Sequence, residues 1–540
     1  MPFQKNQTKL FEQLTILTIV LYVISLFYNL HLEPLRLEEP RRGLVALEML
    51  MNNNFIVTTL LNETWYDHPP LYNILLALSL KIFGFNTFAL RFPCALSLLL
   101  TGVLIYRIGK IYVSKNFGII SALFYLISVD IYFYFSTLAE IDIFYSLLVL
   151  LSLFSIFHFY QKKQFYQLFL FAYFFITLAF LTKGFASYAF IVLTLLTYFI
   201  SQKNFKKLFS LAHIIAVIGA LALLGLYFYA YFLYADLPEY LSKMWGLTSS
   251  RTVLERGLSK LIVHFITFPL NFIAVLFPAT LFLLFMFDKV QIKKIKQHPL
   301  FVFLVLTFLV NFIVYLISPG AKIRYTYMFF PMVIMVLSYP FYNQINDRSK
   351  KLKLFYNIIK SLMVLVSAVM IIAPFLLIKQ NPIFLNYSLA IFGLFILACL
   401  YLNLKTVGLI KSVSVILFFV IGRLAFDHIA IPLKADSPKN KQQKIYADEI
   451  HKIIGNDKKL YILSNDDVNS TNKATKFDNI PFKFYETAAY LEMYREKIIT
   501  KTTHLNKQGF YIINLEEIEN HKALYFFEIN KTKLALIEKL

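Results

Sequence analysis

Apolar runs of about 20 residues recur along most of this chain, and that recurrence constrains its fold more than any motif does. Each run is long enough to cross a bilayer core about 30 Å thick as a helix. In lipid the backbone must satisfy its own hydrogen bonds, so helices are what such runs form. About thirteen spans are expected, near 11–31, 92–112, 117–135, 140–160, 165–182, 184–201, 208–234, 262–287, 299–318, 325–343, 354–378, 383–402 and 407–426. Hydrophobic residues make up 58% of the chain, above the roughly 45–50% of a soluble domain. The fold class is therefore an all-α polytopic membrane protein.

A formal net charge of +22 invites a nucleic-acid reading, but the distribution of the charge argues against it. The basic residues gather in alternate short loops: Lys5 and Lys9; Arg107, Lys110 and Lys115; Lys162 and Lys163; Lys203, Lys206 and Lys207; Lys289 to Lys296; Arg348 to Lys353. With thirteen spans all of these fall on one side, which the positive-inside rule makes the cytoplasm. No nucleic-acid partner is expected. The loop from Leu32 to Pro93, the Glu140/Asp142 corner, Lys183, the 235–261 loop, the Lys322/Arg324 corner and the C-terminal tail then share the opposite face. The first span is too long for a signal-peptide core and has no small-residue cleavage site, so a retained anchor is expected. Cys94 and Cys399 lie in separate apolar spans, which excludes a disulfide framework or a thiolate metal site.

Composition changes near residue 435, which divides the chain into a membrane domain, 1–434, and an extracytoplasmic α/β domain, 435–540. In the latter, Lys459–Leu463 and Gly509–Ile513 read as strands, and Lys441–Ile453 and Thr487–Arg495 have helical periodicity. The loop after the first span, 32–91, carries the densest polar sequence. A surface helix is expected to begin at Pro40, with Leu44, Leu47, Leu50 and Met51 as its apolar face. A second begins at Pro69-Pro70 and runs through Ile82. Arg41 and Arg42 fall in the first turn of the earlier helix, the wrong end for cations, and an anion held there would offset that cost.

Glu38-Glu39-Pro40-Arg41-Arg42, Tyr66-Asp67-His68-Pro69-Pro70-Leu71 and Arg91-Phe92-Pro93 resemble, in order and spacing, motifs of GT-C glycosyltransferases that use polyprenyl-phosphate sugars. The likeness is to the lipid A aminoarabinose transferases and protein O-mannosyltransferases. That family reads Asp-Glu-x-Arg-Tyr-Ala, Tyr-x-Lys-Pro-Pro-Leu and Ala-Arg-Leu-Pro-Ser. The resemblance is specific in the first loop and at Lys183, extends loosely to about residue 340, and implies a GT-C fold. It also implies an inverting transfer of a sugar from a polyprenyl-phosphate donor, outside the cytoplasm, in the inner membrane of a bacterium. Lipid A is the acceptor expected first; a protein or another envelope glycan stays open.

Transfer to a hydroxyl needs a carboxylate to take the proton. The resemblance puts the family's aspartate at Glu38 and its glutamate at Glu39, and a second acidic motif at Glu140 and Asp142. Helix capping is the competing account of the last two. For the donor phosphate the resemblance points to Arg41, His68 (where relatives carry lysine), Lys183 in Thr182-Lys183-Gly184, and Lys322 and Arg324 in Ser318-Pro319-Gly320-Ala321-Lys322-Ile323-Arg324-Tyr325. A fixed cation there stabilises the leaving phosphate. Arg251 and Arg256 are acceptor-side candidates. No cluster has metal-ligand spacing, so no metal ligand is assigned, and no cofactor is expected, with a divalent metal left open. A transporter of lipid-linked sugars is the rival class; it would place polar groups at mid-membrane in repeated halves, and neither is visible here.

Overall fold

The computed structural model describes residues 2–251, 256–376, 383–464, 481–518 and 521–539. Its first half runs α1 (Pro2–Phe27), α2 (Glu39–Met51), the short strands β1 (Thr59–Leu60) and β2 (Glu63–Thr64), α3 (Leu71–Phe83), α4 (Thr87–Tyr112), α5 (Lys115–Leu126), α6 (Val129–Phe133), α7 (Ile141–Gln161), α8 (Phe165–Lys183), α9 (Ala186–Ser201), α10 (Leu211–Phe232) and α11 (Leu237–Ser249). Among the described residues ten helices are long and apolar enough to span a membrane, or eleven if a bent pair counts as one span.

The thirteen expected spans differ from this count for local reasons. The span at 117–135 is the bent pair, α5 and the segment after it, turned by 52°. The one at 184–201 is α9, of 16 residues. The span at 325–343 opens as a 3₁₀ turn, Ile323–Phe329, and becomes α-helical only over Phe330–Asn343, where Pro331 occupies the start and needs no N–H partner. All three are helical, but tighter turns and breaks shorten them.

Polar stitches join the spans inside an otherwise apolar core. Tyr22 donates to the Leu126 carbonyl at 3.0 Å, Asn311 Nδ2 donates to Thr194 Oγ1 at 2.7 Å, and Ser121 and Ser338 hydroxyls meet at 2.9 Å. Small hydrogen-bonding side chains do this work in membranes because lipid supplies no competing partner. Outward-facing Leu and Ile on α10, such as Ile218 and Leu221, are exposed, as a lipid-facing surface requires.

The two loop helices form where their prolines predict them, with Pro40 at the start of α2 and Pro70 capping α3. Their apolar faces do not pack on the bundle alone. Leu44, Leu47 and Met49 share one buried cluster with Ala447, Phe484 and Leu491 from the C-terminal domain. That domain is a five-stranded sheet in the order β4-β3-β5-β7-β6, built from β3 (Leu460–Leu463), β4 (Thr500–Thr502), β5 (Gly509–Asn514), β6 (Ala523–Ile529) and β7 (Thr532–Lys539). β3 runs parallel to β4 and β5, while β7 is antiparallel to β5 and β6. Helices Pro438–Ile454 and Phe484–Arg495 accompany the sheet, and the second docks on α2. The Leu35 amide donates to Tyr490, the Lys501 amide donates to the Leu61 carbonyl, and Lys501 pairs with Glu63 at 3.0 Å. The first loop is thus held between the bundle and the sheet domain.

Candidate active site

At the end of the bundle beneath the first loop lies a polar cavity of about 120 Å³. Glu38, Arg41, Arg42, Asp67, His68, Asp142, Lys183, Arg251, Lys322, Arg324 and Tyr325 line it, together with Ile141. Residues separated by nearly 300 positions in sequence converge there because six corners of the chain meet: the start of α2, the loop before α3, the start of α7, the α8–α9 turn, the segment after α11 and the Lys322 corner.

Each corner is set by local chemistry. Glu38 precedes α2 but makes no capping bond; its carboxylate instead accepts from Arg41 Nε at 3.1 Å. Across the guanidinium lie the rings of Phe482 at 5.0 Å and Tyr485 at 6.0 Å, both from the C-terminal domain. Burial works against the Arg41 charge, but Glu38 and Asp67 outweigh it and hold the group above its ordinary pKa. The Lys183 corner turns at Gly184, whose φ of +88° a side chain would strain. Lys183 pairs with Asp142 and sits 3.9 Å above the Tyr325 ring. On that ring Arg251 also rests, at 5.1 Å. The Arg251 carbonyl accepts from the Gly320 amide at 3.1 Å and the Ser318 hydroxyl at 2.9 Å. A Cβ at Gly320 would come within 2.8 Å of the Arg251 Cα, so this close approach needs glycine.

Glu140 and Asp142 open α7 without serving as caps. Glu140 makes no capping bond; it accepts from Arg324 Nη1 at 3.1 Å and faces Arg42 at 3.7 Å. Asp142 meets Arg324 Nε at 3.1 Å as well as Lys183. His68 stands 3.7 Å from Asp67. Burial lowers its pKa, Asp67 opposes, and Arg42, Lys183 and Arg251 lower it further, to about 4. The imidazole is therefore neutral near pH 7 and offers one donor and one acceptor.

Of the residues expected from sequence, Glu38, Arg41, His68, Asp142, Lys183, Lys322, Arg324 and Arg251 are brought together in this cavity. Glu140 lies behind it, paired to two of its arginines. Arg256 does not line it; its Nε donates to the Ser250 carbonyl at 3.2 Å. Glu39 does not reach it either. Its carboxylate is fully buried and clamped by Arg91, with Nε at 2.8 Å and Nη2 at 3.0 Å, and accepts the Ala139 and Arg36 amides at 2.8 and 3.1 Å. Sequence reasoning left out Asp67, Arg42 and Tyr325 as site residues. Asp67 adjoined a noted histidine, Arg42 was conspicuous as a cation at a helix start, and Tyr325 closed the Ser318–Tyr325 motif without being given a role. Among the described residues no three His, Cys, Asp or Glu side chains come together as a metal-binding group.

Fold and cavity define the class, a GT-C-type membrane protein with a charged site at one end of its bundle and a small sheet domain over it. More particularly, residues 67–232 match the family model of dolichyl-phosphate-mannose-protein mannosyltransferases. The fold follows that of ArnT from Cupriavidus metallidurans bound to undecaprenyl phosphate, over 97% of both chains, with a TM-score of 0.68 and 12% identity. ArnT in the apo state gives 0.68 and 13% over the same coverage. Two uncharacterized proteins of Aquifex aeolicus (strain VF5) are 33% identical over 112 residues and 31% identical over 178 residues. Those segments are 21% and 33% of this chain, and the chain spans only 27% and 34% of the length of these curated relatives.

Proposed function

We propose that this protein is an inverting glycosyltransferase that moves a sugar from a polyprenyl-phosphate carrier to an acceptor on the extracytoplasmic face of a bacterial inner membrane. The observation that carries the proposal is the cavity itself: three carboxylates, Glu38, Asp67 and Asp142, inside a nest of cations at one end of a membrane bundle. The match to a polyprenyl-type mannosyltransferase family and the ArnT-like fold support the donor class. Basic loops on the other side of the bundle support the orientation, with site and C-terminus periplasmic. Within this reading residues 1–434 form the transferase domain, and residues 435–540 cover it.

The acceptor oxygen attacks the anomeric carbon as that carbon's bond to the carrier phosphate breaks. The acceptor's proton passes to a carboxylate, and the polyprenyl phosphate departs with the bonding electrons. Glu38 is the base in this assignment, while Asp142, held by Lys183 and Arg324, and Asp67 orient the sugar. Lys183, Lys322, Arg324 and Arg41 hold the phosphate, whose charge grows as the bond breaks. Neutral His68 donates a hydrogen bond to it. Arg251 meets the acceptor side, with Arg256 behind it.

Lipid A is the acceptor we place first. Mass spectra of lipid A from cells with and without the gene test this, with rescue by wild type and by Glu38→Gln. A sugar-sized increment restored by wild type alone supports the reading. An unchanged spectrum sends the search to glycoproteins and surface polysaccharide, and loss of carrier turnover without any transferred sugar favours a transporter.

A further inference from the structure

A second charged cavity lies at the end of the bundle away from the candidate active site. From the Arg324 corner the chain runs along Phe330–Asn343, so the turn that follows, residues 344–349, sits at the opposite end. There the helices Lys350–Leu376 and Gly408–Ala425 come together near their starts, with the Tyr356 hydroxyl 2.9 Å from that of Ser412. A cavity of about 500 Å³ opens between them, and Arg348, Lys353 and Lys411 line it against one carboxylate, Asp347. Among the described residues none of these three cations has an ionic partner. Lys411 is half-buried, its Nζ 4.5 Å from the centre of the buried Tyr356 ring. Positive-inside sorting explains cations in exposed loops, but it does not call for one recessed between two spans.

The surface below this cavity is apolar. Lys353, Asn357, Lys360 and Val364 follow at spacings of four, three and four, along one face of their helix. Past Lys360 the exposed large side chains of that helix are aliphatic: Val364, Leu365, Val369 and Ile372. Cations at the end of a span with bare hydrocarbon beneath them match a phospholipid, whose charge lies at the interface and whose chains lie along the span. A free phosphate would use the cations and leave the apolar stripe uncovered. We propose that this cavity seats the headgroup of an anionic phospholipid from the leaflet away from the active site. Arg348, Lys353 and Lys411 hold its phosphodiester, and its chains lie along the helix Lys350–Leu376. This seat is independent of the transfer reaction at the other end.

Purified, delipidated full-length protein in a neutral detergent is titrated with phosphatidylglycerol, phosphatidylethanolamine and glycerol phosphate, and retained molecules are counted by native mass spectrometry. Wild type should retain phosphatidylglycerol at least about ten-fold more tightly than the other two. Lys353→Gln with Lys411→Gln should weaken that retention about 30-fold, the effect of two interfacial cations. Lys353→Arg with Lys411→Arg should keep most of it. Lys206→Gln with Lys207→Gln, in another basic turn, should leave it unchanged. Equal retention of phosphatidylethanolamine overturns the proposal, because the cations then contribute nothing. Equal retention of glycerol phosphate overturns it as well, because the cavity then takes a soluble phosphate. So does loss of the lipid in the Lys206/Lys207 variant as complete as in the Lys353/Lys411 variant, which would make the preference one of overall charge.

Discussion

Replacing Glu39 by alanine should break the first loop rather than the chemistry. The Glu39–Arg91 pair is bidentate and fully buried, and the remaining Arg91 donors go to the carbonyls of Leu30, Glu33 and Pro34. Arg91 therefore keeps its position and its charge when the carboxylate is gone. An uncompensated buried charge costs about 3–5 kcal/mol. The Ala139 and Arg36 amides lose their acceptor as well, at about 1–3 kcal/mol each if no water replaces it. Even the low ends together reach about 5 kcal/mol, a large part of a typical domain's stability. Trp65 offers the probe, because it is buried in the same cluster as α2 while Trp245 is 60% exposed. Thermal unfolding of the detergent-solubilised protein, followed by blue-shifted tryptophan emission, should show the loop melting well below wild type. A double replacement, Glu39→Met with Arg91→Leu, removes both charges and should recover much of the midpoint and measurable transfer. The reasoning is refuted if Glu39→Ala melts within about 1 kcal/mol of wild type yet transfers no sugar, since Glu39 would then act in the reaction.

Glu38→Gln should keep the wild-type melting profile, because the amide oxygen can still accept from Arg41, and lose transfer by at least 100-fold in a radiolabelled-sugar assay, the scale of a lost general base. Lys183→Ala should lower turnover by a similar factor and weaken undecaprenyl phosphate binding in a direct titration; unchanged binding would remove it from the phosphate site. Phe482→Ala should raise the apparent KM or lower kcat by several-fold without unfolding the sheet domain, since Arg41 loses one ring against its guanidinium. Glu486, buried between α2 and its own helix, has its pKa raised to about 8, by burial first and by Glu39, against the pull of Lys483 and Arg91. A carboxyl with a raised folded-state pKa contributes stability that is complete at acid pH and lost as pH rises through that value. The melting midpoint should therefore fall as pH rises from the ordinary carboxyl value of 4.5 to about 8 and level off above it, and Glu486→Gln should flatten that fall.

The membrane bundle was legible because apolar length alone specifies a spanning helix, and α2 and α3 because Pro40 and Pro70 mark helix starts. The expected span count exceeded the long helices only where a glycine, a proline or a bend shortens a segment that remains helical. Strands β4, β6 and β7 went unread: β4 is only three residues long, β6 pairs with β7 alone, and lysines and a glutamate interrupt the apolar pattern of β7. In the site, motif proximity located Glu38, His68 and Lys183. It could not separate Glu38 from Glu39, because adjacent residues point to different sides of a helix start and only the position of Arg91, some fifty residues on, decides which is clamped. Asp67 and Tyr325 depend on contacts between corners distant in sequence, information that no single segment carries.

The seat of Arg41 has a consequence for biogenesis. Its aromatic wall, Phe482 and Tyr485, is among the last parts of the chain to be synthesised, whereas its partner Glu38 is among the first. A nascent chain with every span already inserted still presents Arg41 without that wall, and α2 without the helix that covers it. The site is thus completed only when the C-terminal domain has docked. On the proposed reading, a stalled or truncated chain would lack a finished site for a carrier lipid.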